Sequence, residues 1–214
     1  MSENNVAAIR SPPTDVSSYQ HGVTDARFPP GSSSVPVEFH TDPGHSSHQL
    51  ASIQAQEQRC ILPSFTADIA WELGTRLRAR LQRVAPPNAP RPAVVNITLA
   101  NSSQLLFHCA TASGTSPDND TWVARKRAAV LRWGSSTWFL HNKFAGNEDA
   151  FRAKFMLGER AGGYAIHGGG FPVRVKGVEG VVGVIVVSGL TQQEDHEVIV
   201  EILEEYLASL KGSQ

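Results

Sequence analysis

The chain has 214 residues, room for one ordinary domain plus an extension, and with 41% hydrophobic and 18% charged residues it can build a core without covalent staples. A formal net charge of -1 leaves no electrostatic case for a nucleic-acid partner. The start shows no basic segment followed by an apolar stretch, and no apolar run approaches about 18 residues, so the expectation is a soluble, cytoplasmic protein with no membrane partner.

Residues 1–47 are rich in Ser, Pro, Gly and Asn without helical or strand periodicity and are expected to form a disordered tail, with the folded domain running over 48–214. His21, His40 and His45 of the tail and His48 at the start of the domain are irregularly spaced and joined by no cysteine cluster, so no metal arm is expected. Cys60 and Cys109 also lack metal-ligand spacing; they read as buried thiols, and no metal site is expected.

The first clear helix is expected over 66–84. Thr66 can cap it, and Ile69, Leu73, Leu77 and Leu81 recur every four residues on one face before Pro86, Pro87, Pro90 and Pro92 stop it. Two strands, Ala93–Leu99 and Gln104–Ala110, are joined by a polar turn and should pair antiparallel. Ser116 and Pro117 open a helix that Gly134 closes, with Trp122, Lys126 and Val130 on one face. A third strand is expected over Ser136–Asn142, and a short helix begins near Asn147. Two strands follow, Phe171–Lys176 and Val181–Ser188, the second apolar enough to be central. Thr191 and Glu194 form a capping box for a last helix reaching Leu210. The fold class is therefore α/β of the α+β kind, with a five-stranded, mostly antiparallel sheet flanked by helices.

Several residues could carry chemistry. Gly168, Gly169 and Gly170 permit positive φ and could aim backbone N–H groups into an anion-binding nest, with Phe171 as a stacking surface and Arg174 as a charge partner. The other reading of the same glycines is close packing against a neighbouring strand or subunit. His167 and the three glycines echo the oxyanion-hole motif of lipases, but no G-x-S-x-G elbow exists to use it. His196-Glu197 opens like a zincin motif, yet position 200 is Val, so His196 reads as a capping or interface residue that Glu194 and Asp195 could make more basic. His108 lies on a strand opposite Phe107 and Cys109, and His141 is expected on the strand after Trp138. With His167 these histidines could be axial ligands if haem binds, noncovalently, because no C-x-x-C-H motif is present. Arg125 and Arg132 share a helix side, while Lys126 follows the Trp122 stripe; this basic face could dock an anion or pair with the acidic last helix.

Three spaced motifs carry a resemblance: Ser116-Pro117-Asp118-Asn119 with Trp122 and Arg125-Lys126-Arg127; His167 to Val175; and Ser188-Gly189-Leu190 with Glu194-Asp195-His196. In this order they resemble the GlcG-like, haem-degrading-domain family over roughly Leu50 to Leu210. The resemblance implies a profilin-like sandwich and a ring-like homo-oligomer, and distant relatives of that kind bind haem or corrinoid-type ligands. The chain departs from the pattern at Thr111-Ala112-Ser113 and in its long tail.

The leading functional expectation is an oligomeric binding protein. Its pocket would combine the His108 strand, the helix start carrying Asp118, Asn119, Trp122 and Lys126, and the glycine loop, with His141 and His196 nearby. Its ligand would be small and anionic or tetrapyrrole-like, haem being possible. Two alternatives stand beside it: a metal-independent isomerase, cyclase or lyase of a biosynthetic pathway using His167 or His108 as acid/base, and an oligomeric interaction scaffold.

Overall fold

The computed structural model describes residues 43–83 and 91–212, so most of the expected tail and Pro86, Pro87 and Pro90 lie outside the described residues. Helix α1 spans Pro43–Arg59 and starts within the segment expected to be tail. Its sequence offers little apolar periodicity, and Ile53 is the buried anchor near its centre. Helix α2, Ala67–Arg83, buries Leu73, Leu77 and Leu81, and Thr66 Oγ1 accepts the Ile69 N–H at 3.3 Å as expected of a cap.

Strands β1 (Val94–Leu99) and β2 (Leu105–Ala110) form the expected antiparallel hairpin, with Ile97 opposite Phe107. Helix α3 covers Pro117–Trp133 and ends at Gly134, whose φ of 66° is the left-handed conformation that glycine adopts freely. Strands β3 (Gly170–Val173) and β4 (Gly183–Ser188) pair antiparallel, and helix α6 (Gln192–Lys211) closes the chain.

Among the described residues the sheet has four strands in the order β2-β1-β4-β3, all antiparallel, which corrects the expected five. The fifth was the run Ser136–Asn142, which forms helix α4 (Thr137–Lys143) instead. Apolar residues over seven positions suit two helical turns as well as a short strand, and the cap decides: Ser136 Oγ accepts the Phe139 N–H at 3.0 Å. The expectation that β4 lies inside the sheet holds, since it pairs with β1 and β3 and all six of its residues are buried.

One sheet face packs Val95, Ile97, Phe107, Ile185 and Val187 against α2 and α6. The opposite face meets α3 through Val94, Val184 and Val186 against Val123 and Val130. Beyond α3, α4 joins α5 (Glu148–Lys154) and a 3-10 turn (Gly158–Gly163) in an aromatic annex where Trp133 contacts Phe151, Phe155 and Tyr164 at 4.8–4.9 Å between centroids. Edge strand β3 contains Pro172, tolerated because an edge position has no ladder partner on one side. No helix among the described residues is long and apolar enough to cross a membrane.

Candidate functional site

Two capped helix starts converge beside the end of β4. At α3, the Ser116 N–H donates to Asn119 Oδ1 at 2.9 Å; at α6, Thr191 and Glu194 close a reciprocal box through Thr191 N to Glu194 Oε2 at 3.0 Å and Glu194 N to Thr191 Oγ1 at 3.4 Å. Asn119 Nδ2 donates to the Ser188 carbonyl at 3.3 Å, which ties the start of α3 to the strand leading into α6. Between them lies a cleft of about 250 Å³, bordered by Asn119, Trp122, His167, Gln192 and the Ser188–Leu190 turn, with Lys126 and Asp195 at its floor.

Lys126 is only 3% exposed, and its Nζ donates to Asp195 Oδ2 at 3.0 Å and to the Val187 carbonyl at 2.9 Å. Asp195 in turn accepts the Leu190 N–H at 3.1 Å on its other oxygen. Burial pulls the Lys126 ammonium below its usual range and pushes the Asp195 carboxyl above its own, each partner opposing the other's shift. The expected choice for the basic face thus resolves at Lys126 into pairing with the last helix. Arg125 and Arg132 share a side as expected, both reaching Tyr164, at its carbonyl (3.1 Å) and its hydroxyl (2.9 Å). The Arg125 guanidinium also lies over the Trp122 ring, 4.5 Å from its centroid.

His167 sits at the rim, its ring 4.9 Å from Trp122 and its Nδ1 3.3 Å from Glu148 Oε1. Burial lowers its basicity against the pull of Glu148, and the charges of Lys126 and Arg125 lower it further. His141 lies behind Gln192, outside the lining of the cleft, with 3.3 Å between its Nε2 and Gln192 Nε2, and stacks on Trp138 at 5.1 Å. It projects from helix α4, correcting the expected strand position, and burial followed by the nearby His167 lowers its basicity.

The glycine loop packs closely against its surroundings. A Cβ on Gly169 would fall 2.8 Å from Lys126 Nζ and 2.8 Å from Asp195 Cβ, and its φ of +107° suits glycine. A side chain on Gly168 would run into the Gln192 carbonyl. The Gly170 N–H donates to Thr137 Oγ1 at 2.9 Å, so that donor does not face an open nest.

Other expected site residues stand apart from the cleft. Phe171 is 1% exposed and belongs to the core under α2 and α6. Arg174 donates to the Gly134 carbonyl at 2.6 Å, at the far end of α3. Asp118 is exposed on the first turn of α3, and His108 lies on the edge strand near Asn96 (3.2 Å) and Asp120 (3.5 Å). His196 is buried, with Nε2 3.1 Å from Gln56 Oε1 on α1. The expectation of raised basicity is reversed there: burial drives its pKa down to about 4, because the ring loses its water and neither Glu194 nor Asp195 bonds to it. Gln192 and the pairing role of Asp195 were not singled out from the sequence; the Glu194-Asp195-His196 motif was the available signal.

An antiparallel sheet with helices on both faces and a small polar cleft between two helix starts defines an α+β domain. The chain belongs to the HbpS-like haem-degrading protein family, whose profile matches residues 65–204. It is 43% identical over 158 residues to a UPF0303 protein of Streptomyces coelicolor, covering 74% of this chain and 93% of that one. A UPF0303 protein of Streptomyces avermitilis is 41% identical, with coverage of 74% and 90%. The crystal structure of the Ybr137w protein superposes with a TM-score of 0.68 at 30% identity, covering 75% of this chain and 88% of that one. A Streptomyces reticuli HbpS double mutant, at TM-score 0.50 and 20% identity over 67% of this chain and 86% of its own, shares the fold.

Proposed function

We propose that the protein binds a small anionic ligand in the cleft between the starts of α3 and α6. The convergence of the two helix N-termini beside Lys126 carries the reading: each end contributes up to roughly half a positive charge, set against Asp118 and Asp120 on α3 and against Glu194 and Asp195 on α6, which Arg91 and Lys126 already hold. His167 at the rim extends the donor set, and Trp122, with the Arg125 guanidinium over its ring, supplies an apolar wall. Isothermal titration and thermal shift with acetate, citrate and inorganic phosphate test this. At least one anion is expected to bind and stabilise the fold, with the effect lost in Asn119→Ala and Gln192→Ala. Absence of any anion response would overturn the reading and favour the interaction scaffold.

Haem, which the family's description suggests, fits one chain poorly. The cleft of about 250 Å³ is below the roughly 300–1,000 Å³ usual for drug-sized ligands, and a charged pair floors it where a macrocycle needs apolar walls. Of the three expected axial histidines only His167 borders the cleft. Titration with haemin therefore separates the two: a Soret band that disappears in His167→Ala would replace the small-anion reading with haem binding.

A further inference from the structure

We infer that Lys126 is a nucleophile toward a carbonyl carbon, so that the cleft takes a small 2-oxo acid or aldehyde-acid and holds it as a reversible imine. The inference rests on the small-anion reading of the same cleft and adds the ligand's second functional group. Four observations meet at Nζ. It lies at the cleft floor. Only two of its three N–H directions are used, toward Asp195 Oδ2 and the Val187 carbonyl. Its neighbour on the loop side is Gly169, where a Cβ would fall 2.8 Å away and also run into the Val187 carbonyl, so only glycine lets the loop approach Nζ this closely without a side chain covering it. Its charge partner is a buried carboxylate 3.0 Å off, in direct proton-transfer range.

Desolvation works on both partners in the useful sense. Taking an ammonium and a carboxylate out of water narrows the gap between the charged pair and the neutral amine with carboxylic acid. The chemistry balances within the pair. Nζ gives a proton to Asp195 Oδ2, and its freed lone pair forms the C–N bond as the C=O π bond opens onto oxygen. A proton passing from nitrogen to that oxygen gives the carbinolamine. Asp195 returns its proton to the hydroxyl, the C–O bond breaks, and water leaves with formation of the protonated imine. The product is again a cation beside the Asp195 carboxylate, so the buried charge balance survives, while the ligand's own carboxylate sits at the two helix starts. The other lysines, Lys143, Lys154, Lys176 and Lys211, are all exposed and lack this environment.

The test is reductive capture on the full chain: incubation with pyruvate or glyoxylate and sodium cyanoborohydride, then digestion and mass spectrometry. Capture is expected at Lys126 in preference to the exposed lysines, slowed in Asp195→Asn and lost in Lys126→Arg, whose guanidinium keeps the cation. Adducts spread over the exposed lysines, or none, would overturn the imine. Acetate and phosphate binding measured alongside separates the two claims: if those anions bind while Lys126 is not captured, the imine fails and the anion cleft stands. Should Lys126→Arg not fold, the site of capture in the unsubstituted protein decides alone.

Discussion

Against α2 and α6 the sheet presents an unbroken apolar surface, Val95, Ile97, Ile185 and Val187, whereas against α3 the valines Val94, Val184 and Val186 alternate with buried Asn96 and Thr98. On the α3 side, Lys126 and Asp195 add a desolvated ion pair, and Asn96 Oδ1 and Thr98 Oγ1 find no hydrogen-bond partner among the described residues. The first side gains from burial alone, at about 25 cal/mol per Å² of apolar surface, and tolerates volume-conserving change. The second depends on particular partners, because a buried polar group costs free energy once its mate is removed. The cleft opens on the second side.

The sharpest way to break this comparison is Asp195→Ala. Lys126 is left buried without its counter-charge, and we expect a loss of about 3–5 kcal/mol in urea unfolding. The double variant Lys126→Met with Asp195→Leu is expected to recover most of it, since two apolar groups remove the desolvation penalty together. A double variant as unstable as the single one would show that the loss comes from packing.

Acid should act next most strongly. His196 has a folded-state pKa of about 4 against an ordinary value of 6.5, so the folded state resists the proton that the unfolded chain accepts. Stability is therefore full above pH 6.5 and falls as the pH drops toward 4, by about 3 kcal/mol in total. His141 and His167 act in the same sense, while Glu57, whose carboxyl burial raises, opposes them. Thermal unfolding across that window checks the expectation, and His196→Phe should flatten the profile. The smallest effect is expected from Thr191→Ala, which deletes the α6 cap for about 1 kcal/mol by thermal unfolding and loosens the wall of the cleft.

Legibility in the sequence followed the range of the interactions. α2, α3 and α6 were readable because caps and four-residue spacing act locally, and the β1–β2 hairpin because its turn does too. α4 was misread because seven residues carry too little period, and Ser136 was not recognised as its cap. α1 escaped because it is held by contacts remote in sequence: Gln56 to His196, Glu57 Oε1 accepting the Ser136 N–H, and Arg59 to Glu204. At the site, Asn119, Trp122, Lys126 and His167 were picked out by residue type and do meet at one cleft. Their organising partner is 69 residues from Lys126, a separation that no local pattern encodes. Phe171 packs under α2 and α6 and Arg174, just past the end of β3, reaches Gly134, placements that alternation leaves open because it fixes a face of the sheet but not what covers it.

Pro172 also bears on how the sheet could grow. It deprives the β3 border of an amide donor, and the chain's own Leu62 is bridged to Val175 just past the end of that strand. The opposite border, β2, runs Leu105-Leu106-Phe107-His108-Cys109-Ala110 with no proline and no lysine to discourage a newcomer. Among the described residues, an additional strand therefore has a single side open to it, and it would meet the half-exposed Leu105 and the exposed Trp71 on arrival.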